Sequence, residues 1–197
     1  MQIMLTPAVK AAQDRYFGRH QDVKVQNERD ALRADEAAFI AVRDSFYMAT
    51  TNSDGWPYVQ HRGGPAGFLK VLGPHQLGFA DFKGNRQMLS TGHLEGNDRV
   101  ALFLMDYPNR ERLKILGYAR VLDAREYREL ADQLTPSPEL RSKIERLFLI
   151  EVVSYDWNCP QYITPRFTGA EIEEYVAPFK ARIAELEDQL RRATAGR

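Results

Sequence analysis

Apolar positions recur at three- and four-residue steps at both ends of the chain, and alternate with polar ones between them. The first pattern belongs to helices and the second to half-buried strands. Thr6-Pro7 predicts a helix start, with Thr6 as cap and Pro7 in the first turn. Val9, Ala12, Tyr16 and Phe17 follow on one side, and Gly18 ends the helix. A second helix is predicted from about Asn27 to Arg43 through Leu32, Ala37, Phe39, Ile40 and Val42. The pattern then changes. Ser45–Asn52, the Ser53-Asp54-Gly55 turn and the segment from Trp56 read as a hairpin, with Pro57 at a strand start or sheet edge. Further strands are predicted at Ala66–Leu72, Gln76–Phe82, Arg99–Met105, Arg112–Leu122 and Glu145–Asp156. Short helices fall at Asn85–Leu94 and Ala124–Leu134. From Thr168 to Arg192, Ile172, Tyr175, Val176, Phe179, Ile183, Leu186 and Leu190 mark an amphipathic helix with Pro178 as an expected kink. Successive strands joined by short turns predict a mainly β fold, an antiparallel barrel with helices packed outside. One domain is expected: helices over 1–44, a barrel over 45–167 and a helix over 168–197.

Composition narrows the function. The chain has 197 residues, with 44% hydrophobic and 27% charged residues, as a globular domain does. Lys plus Arg and Asp plus Glu number 27 each. This balance lacks the basic excess of a phosphate-backbone binder, so no nucleic-acid partner is expected. Cys159 is the single cysteine, so no intrachain disulfide can form. No His, Cys or Asp group has metal-ligand spacing. No apolar run reaches the roughly 18 residues of a membrane span, and no secretory leader pattern is present. The expected setting is the cytoplasm, with no membrane association.

Four segments carry candidate chemistry. In Gln60–Lys70, two glycines and a proline interrupt a strand between Arg62 and Lys70. Two cations aimed at one anion, or a bulge with two solvated cations, explain it equally well. His61 lies beside Arg62. In Asp81–Leu89 a strand runs through Lys83, Gly84 and Asn85 into a helix, with Arg86 and Gln87 next. A helix N-terminus accommodates an anion, and Arg86 there suits a phosphate; plain capping by Asn85 is the simpler account. In Asp106–Lys114, Arg110, Arg112 and Lys114 alternate on one strand face. In Asp156–Phe167, Trp157 and Tyr162 lie among Asn158 and Gln161. Rings and amides of this kind suit a flat heteroaromatic ligand, or pin a loop to the barrel.

The order HRGGPAGFLKVL, LGFADFKGNRQ, MDYPNRERLKILGYARVL and DWNCPQYITPRF resembles the pyridoxamine 5′-phosphate oxidase-like FMN-binding split-barrel proteins. The resemblance runs from about Thr6 to Phe167. It implies an antiparallel split β-barrel, a homodimer, and FMN in a cleft between subunits. It also implies that Arg62 and Lys70 and the turn of Asn85, Arg86 and Gln87 hold the phosphate, and that Arg112 lies near the flavin; Lys83 in the same turn, and the amides Asn158 and Gln161, are cofactor candidates on the reading of the residues themselves. A small-molecule substrate would be bordered by His61, Trp157 and Tyr162. The family's closing Arg-Leu-His-Asp-Arg run, which grips pyridoxal phosphate, is absent, and ITPRF stands there instead. The resemblance therefore implies an FMN-dependent oxidoreductase rather than the oxidase itself. A carrier of FMN, haem or a deazaflavin without turnover is the alternative.

Overall fold

Seven strands account for the alternating segments. They are β1 (Ser45–Thr51), β2 (Pro57–Gly63), β3 (Lys70–Gly73), β4 (Gln76–Phe82), β5 (Arg99–Asp106), β6 (Glu111–Asp123) and β7 (Ile144–Trp157). They form one antiparallel sheet in the order β2-β1-β5-β6-β7-β4-β3. This computed structural model describes residues 2–22, 28–84, 86–157 and 160–195. Residues 1–106 and 111–160 form one unit; 107–110 and 161–197 form a second.

Alternation sets the core. Phe46 and Met48 of β1, Val100, Leu102 and Leu104 of β5, and Leu113 and Ile115 of β6 are buried on one face. The sheet curls around them. Phe46 of β1 meets Phe79 of β4 edge-on at 5.3 Å, although three strands separate β1 from β4 in the sheet order. Phe79 in turn stacks on Phe148 at 4.8 Å. The continuous apolar run Leu147–Ile150 in β7 is covered on both faces. Phe148 and Ile150 join the main core, while Leu147 and Leu149 pack with Ala131 and Leu134 of a helix. A strand buried on both faces loses the polar half of the alternation.

The helices are α1 (Pro7–Phe17), α2 (Ala34–Ala41), α3 (Leu89–Gly96), α4 (Arg128–Leu134) and α5 (Gly169–Ala195), with 3₁₀ turns at Gln2–Met4 and Pro138–Lys143. The start of α1 is as the sequence predicts: the Val9 N–H donates to Thr6 Oγ1, and Gly18 closes the helix at φ 69°. Among the described residues no helix is long and apolar enough to cross a membrane.

Several elements differ from expectation. The second helix starts at Ala34, because the preceding segment is tied in extended form to the sheet; Asn27 lies outside the described residues. The Asp30 N–H donates to the Val153 carbonyl, and the Asp30 carboxylate accepts from Ser154 Oγ and the Tyr155 N–H. The third strand is shortened to Lys70–Gly73, because Gly67 turns at φ 77° and its N–H donates to the Arg43 carbonyl. A Cβ there would stand 2.8 Å from the Ala41 carbonyl oxygen, so glycine is required. The fourth helix begins at Arg128 instead of Ala124, after a turn in which the Tyr127 N–H bonds the Asp123 carbonyl. Pro178 lies inside α5 without dividing it.

Glu36 fastens α2 to the sheet. Its carboxylate accepts from the Arg33 N–H at 2.9 Å and from Trp157 Nε1 at 2.7 Å. Trp157 also meets Phe39 edge-on at 4.8 Å. Burial pushes the Glu36 carboxyl up, but the Trp157 and backbone hydrogen bonds outweigh it and hold it below its ordinary value. A carboxylate with a depressed pKa contributes stability that is present above its unfolded pKa and lost as pH falls through the folded one. Trp157→Phe keeps the ring contact and removes the donor. The expected loss is about 1–2 kcal/mol near neutral pH. Urea unfolding at a series of pH values checks this, and the gap from the parent protein should close in acid, below the ordinary glutamate range.

Candidate functional site

A cleft opens where β2 approaches β4 and β7. Alternation along β2 turns Tyr58, Gln60 and Arg62 into it, and His61 to the opposite face. Asp81 near the end of β4 and Arg146 of β7 are cross-strand partners, so the sheet register itself places opposite charges side by side. Arg62 Nη1 donates to Asp81 Oδ1 at 2.7 Å, while Arg146 Nε and Nη2 donate to Oδ2 at 2.9 and 2.8 Å. The three side chains are only 10–18% exposed.

Arg62 is further confined between aromatic rings, 4.9 Å above Phe148 and 5.7 Å from Phe79. Burial pushes its guanidinium below the ordinary arginine value, and the charge of Asp81 opposes that shift. An arginine stays protonated in either case. Its Nε is buried without a hydrogen-bond partner.

The opposite wall is the loop 84–88 and the first turn of α3. Arg86 and Met88 both adopt left-handed backbone, at φ 61° and 56°. Such angles cannot continue a helix, which is why α3 begins at Leu89 and not at the predicted Asn85. The helix is held by its side chains. Ser90 Oγ donates to Gln60 Oε1 at 3.0 Å, and His93 Nδ1 lies 2.9 Å from Thr50 Oγ1. Leu89, Ser90 and Thr91 therefore line the cleft with the positive end of α3. Arginines 62, 86 and 146 line it with Asp81, and Glu145 behind the lining pairs with Arg146 at 3.2 Å and lies 3.9 Å from Arg86. The cleft encloses a free volume of about 50 Å³.

The expected site residues divide into those the cleft gathers and those it does not. Arg62, Arg86 and Gln87 line it. Asn85 and Asn158 lie outside the described residues, as does Cys159. Lys70 does not line the cleft: its Nζ donates to the Gln133 carbonyl at 2.7 Å, at the C-terminal end of α4. Lys83 is exposed, and its backbone N–H bonds the Lys143 carbonyl. Arg112 alternates away from buried Leu113 and covers Phe103, with its Nε buried and unpartnered. His61 meets Tyr47 edge-on at 5.6 Å. Trp157 holds Glu36. Gln161 and Tyr162 belong to the second unit, where both are exposed. The residues not anticipated are Asp81, Arg146, Tyr58, Gln60 and Ser90. The period-two pattern of β2 carried the signal for Tyr58 and Gln60; the others depend on register.

Comparison with known proteins follows this geometry. The family model described as pyridoxamine 5′-phosphate oxidase matches residues 32–146. A solved structure of a candidate pyridoxamine 5′-phosphate oxidase from Lactobacillus delbrueckii superposes with a TM-score of 0.50 at 18% identity, covering 66% of this chain and 97% of that one. A protein related to general stress protein 26 of B. subtilis, from Clostridium acetobutylicum, gives 0.47 at 12% identity over 63% of this chain and 85% of its own. An FMN-binding protein from Syntrophomonas wolfei gives 0.43 at 9%, over 61% and 81%. No curated protein matches the chain. The fold is that of the pyridoxamine 5′-phosphate oxidase-like proteins. The chain belongs to the pyridoxamine 5′-phosphate oxidase family.

Removing the carboxylate tests the ionic centre. Asp81→Ala leaves the enclosed Arg62 without its counter-ion and Arg146 with Glu145 alone, and the expected destabilisation is about 3–5 kcal/mol. Arg146→Ala leaves the Arg62–Asp81 pair and should cost clearly less. Denaturant unfolding of both variants measures the difference, and equal losses would contradict the shared-carboxylate arrangement.

Proposed function

We propose that this chain is a homodimeric split-barrel flavoprotein that holds FMN by its phosphate in the cleft, and that it acts as an oxidoreductase on a small molecule. The observation that carries the reading is the gathering of three arginines, Arg62, Arg86 and Arg146, on one small cleft whose carboxylates are Asp81 and, behind the lining, Glu145. Family membership agrees with it. Bound FMN would supply the two-electron chemistry. Arg62 and Arg86 would hold its phosphate, with Gln87 and Ser90 at its edge, while Asp81 and Arg146 fix where Arg62 points.

The cleft is too small for a flavin ring, so the ring needs a surface beyond it. A second subunit is the source the reading assigns. The outer sheet face offers apolar area for that contact, with Tyr47, Val59 and Tyr118 being 40%, 60% and 37% exposed. Pyridoxamine 5′-phosphate is not the expected substrate, because the substrate-gripping C-terminal run is missing.

The protein should purify yellow with FMN, and its absorbance separates flavin from haem or a deazaflavin. Arg86 is exposed, so Arg86→Ala should leave the melting temperature unchanged while weakening FMN binding by about 1.5–3 kcal/mol, roughly ten- to a hundredfold. Fluorescence titration of the apoprotein with FMN reads this, and unaltered affinity would sink the phosphate assignment. Turnover of pyridoxamine 5′-phosphate should fall well below the ordinary enzyme range of about 1–10³ per second.

A further inference from the structure

Helix α5 runs unbroken over 27 residues from Gly169 to Ala195, and none of its residues is buried. It nevertheless carries a row of large apolar side chains. Ile172, Phe179, Ile183, Leu186 and Leu190 are each about half exposed, at 46–65%. Their spacing is regular. From Ile172 the steps to Val176, Phe179, Ile183, Leu186 and Leu190 alternate strictly between four and three residues. That is the heptad period, with Val176, Ile183 and Leu190 at the first core position (a) and Ile172, Phe179 and Leu186 at the second (d).

The width of the stripe identifies what covers it. A helix packed on a globular core carries a wide apolar face of three or four positions in seven. Here the positions flanking the stripe hold Glu173, Lys180, Arg182, Glu187 and Gln189, with Tyr175 the one large apolar side chain among them. Two positions in seven make the seam of a coiled coil. We infer that α5 pairs in parallel and in register with α5 of a second copy of this chain, forming a two-stranded coiled coil.

Three observations fit this occupant. In the central heptad Ile183 puts a β-branched side chain at the first core position and Leu186 stands at the second, the combination that favours two parallel strands, with Val176 also β-branched at the first; Ile172, Phe179 and Leu190 do not follow this rule. The flanking charges are complementary in that register: Arg182 precedes Ile183 and comes opposite Glu187 of the partner subunit, five residues further on. Pro178 stands at an outward position, so the hydrogen bond it cannot make lies away from the seam. A seam this short is marginal for two free helices. It gains from the high effective concentration that a dimer of the rest of the chain supplies.

The inference deepens the homodimer reading and uses it only for the second copy. Oxidative cross-linking of the full chain tests the two separately. In a Cys159→Ser background, Ile183→Cys puts a thiol in the seam and Asp188→Cys puts one outside it. At low micromolar concentration with a mild oxidant, Ile183→Cys should form the disulfide-linked dimer at least about tenfold faster than Asp188→Cys. Circular dichroism confirms that both variants are folded. Equal or slower cross-linking at position 183 overturns the coiled coil, as antiparallel pairing or docking on the chain's own sheet would give. Sedimentation of the same samples under reducing conditions reads the homodimer independently: a dimer without the position-183 cross-link refutes the coiled coil alone, and a monomer refutes both.

Discussion

One carboxylate holds the two ends of the curled sheet together. Asp81 receives Arg62 from β2 and Arg146 from β7, and all three are largely enclosed. The cost of enclosing these charges is met only because each has its partner in place. The arrangement fixes more than a bridge. With its Nη1 committed to Asp81 and its plane pressed on Phe148, Arg62 has one orientation, and the cleft it faces has a set charge. The first turn of α3, anchored through Ser90 and His93, then walls the cleft from the other side.

The net charge of the chain is zero, yet its cleft is strongly cationic. These facts are compatible because the cleft's charge is local. Long-range steering of an anionic ligand by the whole molecule is not available here. On the proposed reading, selection would come from contacts inside the cleft, where a phosphate would meet guanidinium groups and the helix dipole with little competing water.

How much of this could be read from the residues differs by element. The strands were legible, because alternation through Leu102, Leu104, Leu113 and Ile115 is a direct image of a half-buried sheet. So was α1, whose cap residues act through their immediate neighbours. The onset of α2 was misread, because the Asp30 carboxylate ties that segment to Ser154 and Tyr155, far away in the chain. The start of α3 was misread for another reason: Arg86 and Met88 sit in left-handed backbone that no propensity for Arg or Met foretells. Arg62 stood out through its position before a glycine pair, and the structure puts it in the cleft. Asp81 and Arg146 became meaningful only with the β4–β7 register, which is a property of the folded sheet. Lys70 looked equivalent to Arg62 in sequence, but the turn at Gly67 sends it to the end of α4.

The β6–β7 ladder is the longest in the molecule, built from strands of 13 and 14 residues, while β2 is an edge strand paired on one side only. Local opening of a protein costs least at such edges and most in the centre of long ladders. The amide protons of β2 therefore trade with solvent at low free-energy cost, whereas those of β6 and β7 wait for global unfolding. The cleft draws Arg62 from the first group and Arg146 from the second. An anion held between them would link an edge strand to the longest ladder, and its grip would be felt as slowed breathing of β2 rather than as any change in the ladder.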